Sequence, residues 1–396
     1  MPVNDETLLT GPAVGAHTET NPTASRLFPL DALRGLIMVL MALDHANLLV
    51  AQQHSSGEYW GGPFPVYHDT LAFLTRLVTH LCAPGFFFLM GAGLVLFADS
   101  RRRRGQTTSD GWSERTIIAH LLTRGGLLIV LQLLVVNRAW ELSPGGWGID
   151  IYIGVLFALG GTMMLGSLLL GLKPKVLLPL TAALVLATEL LAPDPSQWLQ
   201  TFSPLNRLLL VPGGSPELWV NYPVLPWLEV VTLGMVFGHW LVENPRTAFR
   251  RAIEFGAGFL LAFLVLRTLN QTGNIRPRAG DTWIDFLNVV KYPPSMTFIL
   301  LTTGVNLVIM GLFARAGQKL QRVFQPLVVF GRVPLFFYLT HLFLYAGLGR
   351  GLTPGGTSIL RMYPYWVLGL LILYPLCLGY GQLKQRQPAK SVLRFF

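Results

Sequence analysis

Ten apolar stretches, each long enough to cross a bilayer, recur along the chain at about 29–52, 68–98, 115–137, 149–171, 175–192, 222–243, 250–269, 293–314, 326–348 and 362–383. A helix of about 20 apolar residues satisfies all its backbone groups internally, which an open sheet in lipid cannot do. The repeat therefore predicts an all-α polytopic membrane protein, with about ten transmembrane helices in one bundle. Composition agrees: 13% of residues are charged and the mean hydropathy is +0.50, whereas a soluble domain is about one-quarter charged. Residues 1–27 are polar, with no signal-type apolar core, and read as an uncleaved, disordered cytoplasmic leader. Residues 28–383 form the membrane domain and 384–396 a basic cytoplasmic tail.

The cations assign the sides. With the N-terminus inside, eighteen of the thirty Lys and Arg fall in inner segments and eight in outer ones, while Arg34, Arg76, Arg124 and Arg332 lie within spans. This follows the positive-inside rule and puts both termini in the cytoplasm. The net charge of +10 is thus accounted for by topology, and no nucleic-acid partner is expected. Cys82 and Cys377 both sit in apolar segments, so neither a disulfide framework nor a metal site is expected. The sequence selects no oligomeric state, a dimer included.

The first span is apolar yet carries Asp31, Arg34, Asp44 and His45. Charges inside a span cost a few kcal/mol each and face a bundle interior or a wet cavity. Arg34 and His45 are eleven residues apart, so at roughly 100° per residue they share a face and stand roughly 16 Å apart along the axis. Asp44 points about 100° away from His45 and need not orient it. In the second span Arg76 and His80 share a face, and Pro84-Gly85 predicts a kink. Arg124 of the third span and Arg332 and His341 of the ninth are further candidates for the same cavity. On one continuous helix the last two are opposite in phase, so one of them at most faces it squarely. His120 and His239 read as structural helix-end residues, and Gly91, Gly93, Gly125 and Gly126 as small-residue packing. Outer loops rich in Trp, Tyr, Asn and carboxylates, notably 52–67, 193–221 and 270–292, either seat a sugar or form an aromatic belt.

Four motifs carry a resemblance: Asp31-Ala-Leu-Arg-Gly35 leading to His45, Arg76 through Pro84 running into Phe86-Phe-Phe-Leu-Met-Gly91, Lys291-Tyr-Pro-Pro-Ser295, and Gly331-Arg-Val-Pro-Leu-Phe-Phe-Tyr338 to His341. Over 28–383 the chain resembles bacterial members of the heparan-α-glucosaminide N-acetyltransferase catalytic-domain family. The Arg-x10-His spacing is also similar to the integral-membrane acyltransferase-three family, whose Arg-x-x-Arg motif is not evident here. The first resemblance implies an acetyltransferase of the bacterial inner membrane, which takes acetyl-CoA from the cytosol and acetylates an amino or hydroxyl group of an extracytoplasmic sugar.

By carry-over Arg34 contacts the acyl-CoA, with Asp31, Asp44, Arg76, Arg124, Lys291, Arg332 and His341 lining the substrate sites. His45 belongs to the catalytic centre as general base or transient nucleophile. In the lysosomal relatives the essential histidine is in the first outer loop, where His54 falls here, so His54 is a rival; His80 stands where they carry Asp. The run Arg101 to Arg104 serves topology, or the CoA phosphates. A different class of function, a proton-coupled transporter of a small solute, would use the same buried Asp, Arg and His residues as an ion relay.

Overall fold

Proline and acidic residues open the helices of this chain where its loops end. Pro29 stands in the first turn of the first helix, where no amide hydrogen is missed, and Asp31 faces the positive end of the helix dipole. The side chain of Asp69 caps the second helix by accepting from Leu71 N and Ala72 N at 3.1 and 3.2 Å. A computed structural model describes residues 27–55, 57–107 and 111–387. The leader, apart from residue 27, and most of the basic tail lie outside the described residues.

In chain order the helices are α1 (Phe28–Ala46), α2 (Thr70–Thr79), α3 (Cys82–Thr107), α4 (Glu114–Leu131), α5 (Asn137–Glu141), α6 (Val155–Leu168), α7 (Pro174–Leu191), α8 (Pro204–Leu209), α9 (Val224–Glu243), α10 (Pro245–Leu269), α11 (Trp283–Leu287), α12 (Met296–Arg315), α13 (Gln318–Val323), α14 (Gln325–Arg332), α15 (Pro334–Leu352) and α16 (Ile359–Arg386). Three short strands, β1 (Ile151–Ile153), β2 (Gly213–Gly214) and β3 (Leu218–Val220), form a small sheet of order β1-β3-β2. β1 runs parallel and β2 antiparallel to β3.

The all-α polytopic architecture is as the sequence predicts. Among the described residues, eight helical segments are long and apolar enough to cross a membrane, or nine if one bent pair counts as a span. Two of the ten expected spans differ. The stretch 149–171 divides into β1 and the 14-residue helix α6. The stretch 326–348 bends by 94° between α14 and α15, because Val333 precedes Pro334 and is pushed out of the helical region, at φ −130° and ψ 51°.

The second span breaks at His80–Leu81, between α2 and α3, not at Pro84-Gly85. Pro84 falls in the first turn of α3, where its missing amide hydrogen has no partner to lose. α1 and α9 are the central helices, while α7, α10 and α16 turn leucines such as Leu190, Leu261 and Leu371 outward, the pattern of a bundle solvated by lipid.

Close backbone contacts fix the middle. A Cβ on Gly35 would lie 1.8 Å from the Leu327 carbonyl oxygen, and one on Gly331 2.0 Å from that of Asp31. α1 and α14 therefore touch main chain to main chain, through glycines of two of the sequence motifs. Gly91 likewise meets the Val231 carbonyl on α9. Two π-helical turns, Asn47–Ala51 and Gln132–Val136, interrupt the regular winding just after His45 and just before α5. Such turns concentrate at functional sites.

Candidate active site

Among the described residues, two of the buried polar clusters are built on α1. At the basic end, Arg34 donates to Asp31 Oδ1 and to the Gly331 carbonyl, each at 3.1 Å. Arg332 stands 3.7 Å from Asp31 Oδ2. Beside them opens a cavity of about 360 Å³, lined by Arg34, Arg124, Arg332 and Lys384 and walled by apolar side chains that include Met38, Leu89, Met90 and Leu156. Arg124 is half-buried there. The run Arg101 to Arg104 does not line this cavity. Arg101 lies over the rings of Trp112 and Phe97, Arg102 pairs with Glu114, and Arg103 with Asp99.

The second cluster surrounds Asp44 and His45. Asp44 Oδ1 accepts from Arg76 Nη1 at 2.8 Å and from Thr79 Oγ1 at 2.6 Å, and lies 3.1 Å from His54 Nε2. Arg76 is gripped by Glu58 through two parallel bonds, Nε to Oε1 at 2.7 Å and Nη2 to Oε2 at 2.8 Å. Its Nη1 also reaches His54 Nε2 at 2.8 Å, and His80 Nε2 stands 3.8 Å from Glu58 Oε1. One guanidinium thus bridges two carboxylates in a site where bare charge is costly. Burial raises the pKa of the Glu58 carboxyl, but the Arg76 cation and its bonds outweigh that and hold it down at about 2. Burial holds the phenol of Tyr59 well above its ordinary range, so it remains a hydroxyl.

Glu58 is the member of this cluster that the sequence did not single out. It reaches the cluster because the Lys291 and Tyr292 amides donate to its carbonyl at 2.9 and 3.0 Å, and Trp60 N donates to Tyr292 O at 2.8 Å. The same pairing carries in Lys291, whose ammonium acts electrostatically on Asp44, His45, Glu58 and His80. Lys291 is 4% exposed. It lies over the rings of Tyr292 and Tyr222, at 5.0 and 6.0 Å, and has no acceptor among the described residues.

His45 faces into the bundle, edge-on to Trp140 with ring centroids 5.4 Å apart. Its Nδ1 is 2.6 Å from His341 Nε2, and His341 Nδ1 is 2.9 Å from the Phe337 carbonyl. A carbonyl only accepts, so His341 Nδ1 carries its hydrogen. In the neutral ring its Nε2 is then a lone pair, and His45 Nδ1–H must be the donor between the two rings. That leaves the lone pair of His45 on Nε2, which has no partner among the described residues.

Arg34 and His45 do share one face: Arg34 meets Gly331 and His45 meets His341. Asp44 is bonded away from His45, as the helix phase predicts. The phase argument for Arg332 and His341 is overturned by the bend at Val333. The two lie on separate helices, and Arg332 lines the basic cavity while His341 holds His45. His120 stacks on Phe97.

Comparison with known proteins yields the following. Residues 26–270 match the family described as heparan-alpha-glucosaminide N-acetyltransferase, catalytic. The chain is 29% identical over 147 residues to the heparan-alpha-glucosaminide N-acetyltransferase of Mus musculus, covering 37% of this chain and 19% of that protein. The Homo sapiens protein of the same name is 28% identical over 144 residues, 36% of this chain and 19% of that protein. The matched stretch thus spans less than a fifth of either curated relative.

Proposed function

The chain belongs to the heparan-α-glucosaminide N-acetyltransferase catalytic family, and from that membership we propose a transmembrane acetyltransferase of the bacterial inner membrane. Acetyl-CoA enters from the cytoplasm at the basic end of the bundle. The acceptor, an amino or hydroxyl group of a sugar, arrives from the loop end on the far side. The observation that carries this reading is the His45–His341 pair, which holds a bare imidazole nitrogen on the same helix face as the Arg34 cation.

Arg34, Arg124, Arg332 and Lys384 hold the CoA phosphates, since guanidinium forks and an ammonium suit them, and the apolar shaft beside Met90 and Leu156 takes the pantetheine arm. The acceptor nitrogen or oxygen attacks the thioester carbonyl carbon while His45 Nε2 takes its proton. The carbonyl π electrons move to oxygen, where the ammonium of Lys291 meets the developing charge. Collapse breaks the C–S bond, and the His45 imidazolium returns the proton to the departing thiolate. Acetylated acceptor and free CoA leave. His341 fixes the tautomer of His45, and Arg76, His54 and Thr79 hold the Asp44 carboxylate through its Oδ1.

General base catalysis contributes about 10²–10⁴-fold. In membranes given labelled acetyl-CoA and an amino-sugar acceptor, His45→Ala lowers transfer at least 100-fold while the protein inserts and melts as wild type. Unchanged transfer would move the centre to His54 or His80. Solute accumulation in proteoliposomes without acetyl-CoA would favour a carrier instead.

A further inference from the structure

The loops between α7 and α9 and the β2–β3 turn enclose a second cavity, of about 530 Å³, at the end of the bundle away from Arg34. Its walls are aromatic: the half-buried rings of Trp198, Phe202 and Trp219. Polar groups alternate with them. Gln200 and Ser215 line the cavity, and Glu217 stands exposed at its rim. Among the described residues the lining cation is Arg207, which is buried with its guanidinium turned to the carbonyls of Pro212 and Gln200 at 2.9 and 3.4 Å. The Glu217 carboxylate is exposed, so the charge a visitor meets at the rim is that of Glu217.

The aromatic wall is continuous with the reacting cluster. Trp219 Nε1 donates to Asn221 Oδ1 at 2.8 Å and lies 3.0 Å from Tyr59 Oη, and the Tyr59 hydroxyl donates to the same Asn221 oxygen. Trp198 packs 5.5 Å from Tyr59, which stacks on Tyr292 at 4.8 Å. Tyr59 follows Glu58 and Tyr292 follows Lys291, both members of the Asp44–His45 cluster. Flat indole faces set beside hydrogen-bonding side chains match a pyranose ring, which has one apolar C–H face and an equatorial belt of polar groups.

We propose that this cavity is a glycan subsite, which holds a ring of the acceptor chain beyond the residue that is acetylated. Its carboxylate selects amino-sugar chains over uronate-rich ones, because Glu217 pairs with an unreacted ammonium and repels a carboxylate. The proposal rests on a sugar being the acceptor but does not need transfer to be measured.

The test is binding of glucosamine and of its β-linked trimer to the detergent-purified full chain without acetyl-CoA, followed by tryptophan fluorescence. The trimer binds at least tenfold tighter than the monomer. Glu217→Lys, a change at an exposed position, removes that advantage, and Trp219→Phe, which keeps a ring, reduces it less. A Trp198→Ala variant that fails to fold leaves the Glu217 and Trp219 results decisive. Equal affinity for monomer and trimer, or a trimer advantage untouched by Glu217→Lys, overturns the subsite whether or not acetyl transfer occurs. Trimer binding that depends on Glu217 in a protein showing no transfer to amino sugars keeps the subsite and removes only the reaction.

Discussion

Arg76 holds two carboxylates at once, and its loss is expected to be the costliest single change in the loop-end cluster. Arg76→Met leaves Glu58 buried, and Asp44 half-buried, without the guanidinium, which costs about 3–5 kcal/mol. Thermal unfolding in detergent reads this directly, and the double variant Glu58→Leu, Arg76→Met recovers much of it, because the carboxylate at 58 is then gone with its partner. A melt unchanged in Arg76→Met would show that the pair carries no stability.

Acid should act on the same bond. The Glu58 carboxyl titrates near 2 in the folded protein and near 4.5 in the unfolded chain, so protons bind the unfolded chain more readily. The stabilisation is whole above about pH 4.5 and drains away as the pH falls from there toward 2. Melting temperatures of wild type and Glu58→Gln should therefore differ at neutral pH and converge toward pH 2. Arg76, Asp44, His80 and His45 were legible in the sequence because charge inside an apolar span has few bland explanations, whereas the loop residue His54 came in only through the family resemblance. Glu58 was not, since a loop carboxylate shows no periodicity. Its role follows from a backbone pairing of residues 58–60 with 291–292 that no local pattern announces.

Helices pack here through their motifs' small residues, and the element scale is where sequence reading was half right. Eight of the ten spans were visible; the bend of the ninth at Val333–Pro334 was not, and the pattern concealed that one apolar run becomes two helices with independent facings. Treating it as one rod set Arg332 and His341 against each other, although each serves α1 at a different depth. The glycine in each of two motifs has its explanation in that contact. Gly331→Ala forces a Cβ against the Asp31 carbonyl, which would stand 2.0 Å away, and overpacking of this kind costs about 1–3 kcal/mol. Gly347→Ala in α15 meets nothing within 4 Å and should be neutral or stabilising. Equal melting temperatures for the two variants would refute the close contact of α1 with α14.

Across the whole molecule, the sidedness expected from the positive-inside bias would set the basic cavity on one side of the bilayer and the aromatic loops on the other, with α1 joining them. The cavity volumes and the small sheet were invisible beforehand, because β1 and β3 are three-residue strands too short for alternation to register. Arg34 and His45 ride on one unbroken helix, so the gap between phosphate grip and imidazole is set at roughly 16 Å by the helical rise alone. That rod is a ruler. A truncated donor such as S-acetyl-N-acetylcysteamine can meet the imidazole only by abandoning the arginines. Its turnover is then indifferent to Arg124→Ala, whereas acetyl-CoA loses about tenfold or more in kcat/KM, the worth of one charge-assisted bond. Equal losses for both donors would rule out Arg124 as a phosphate ligand. Donor choice on this view is measured out in helical turns along the first helix.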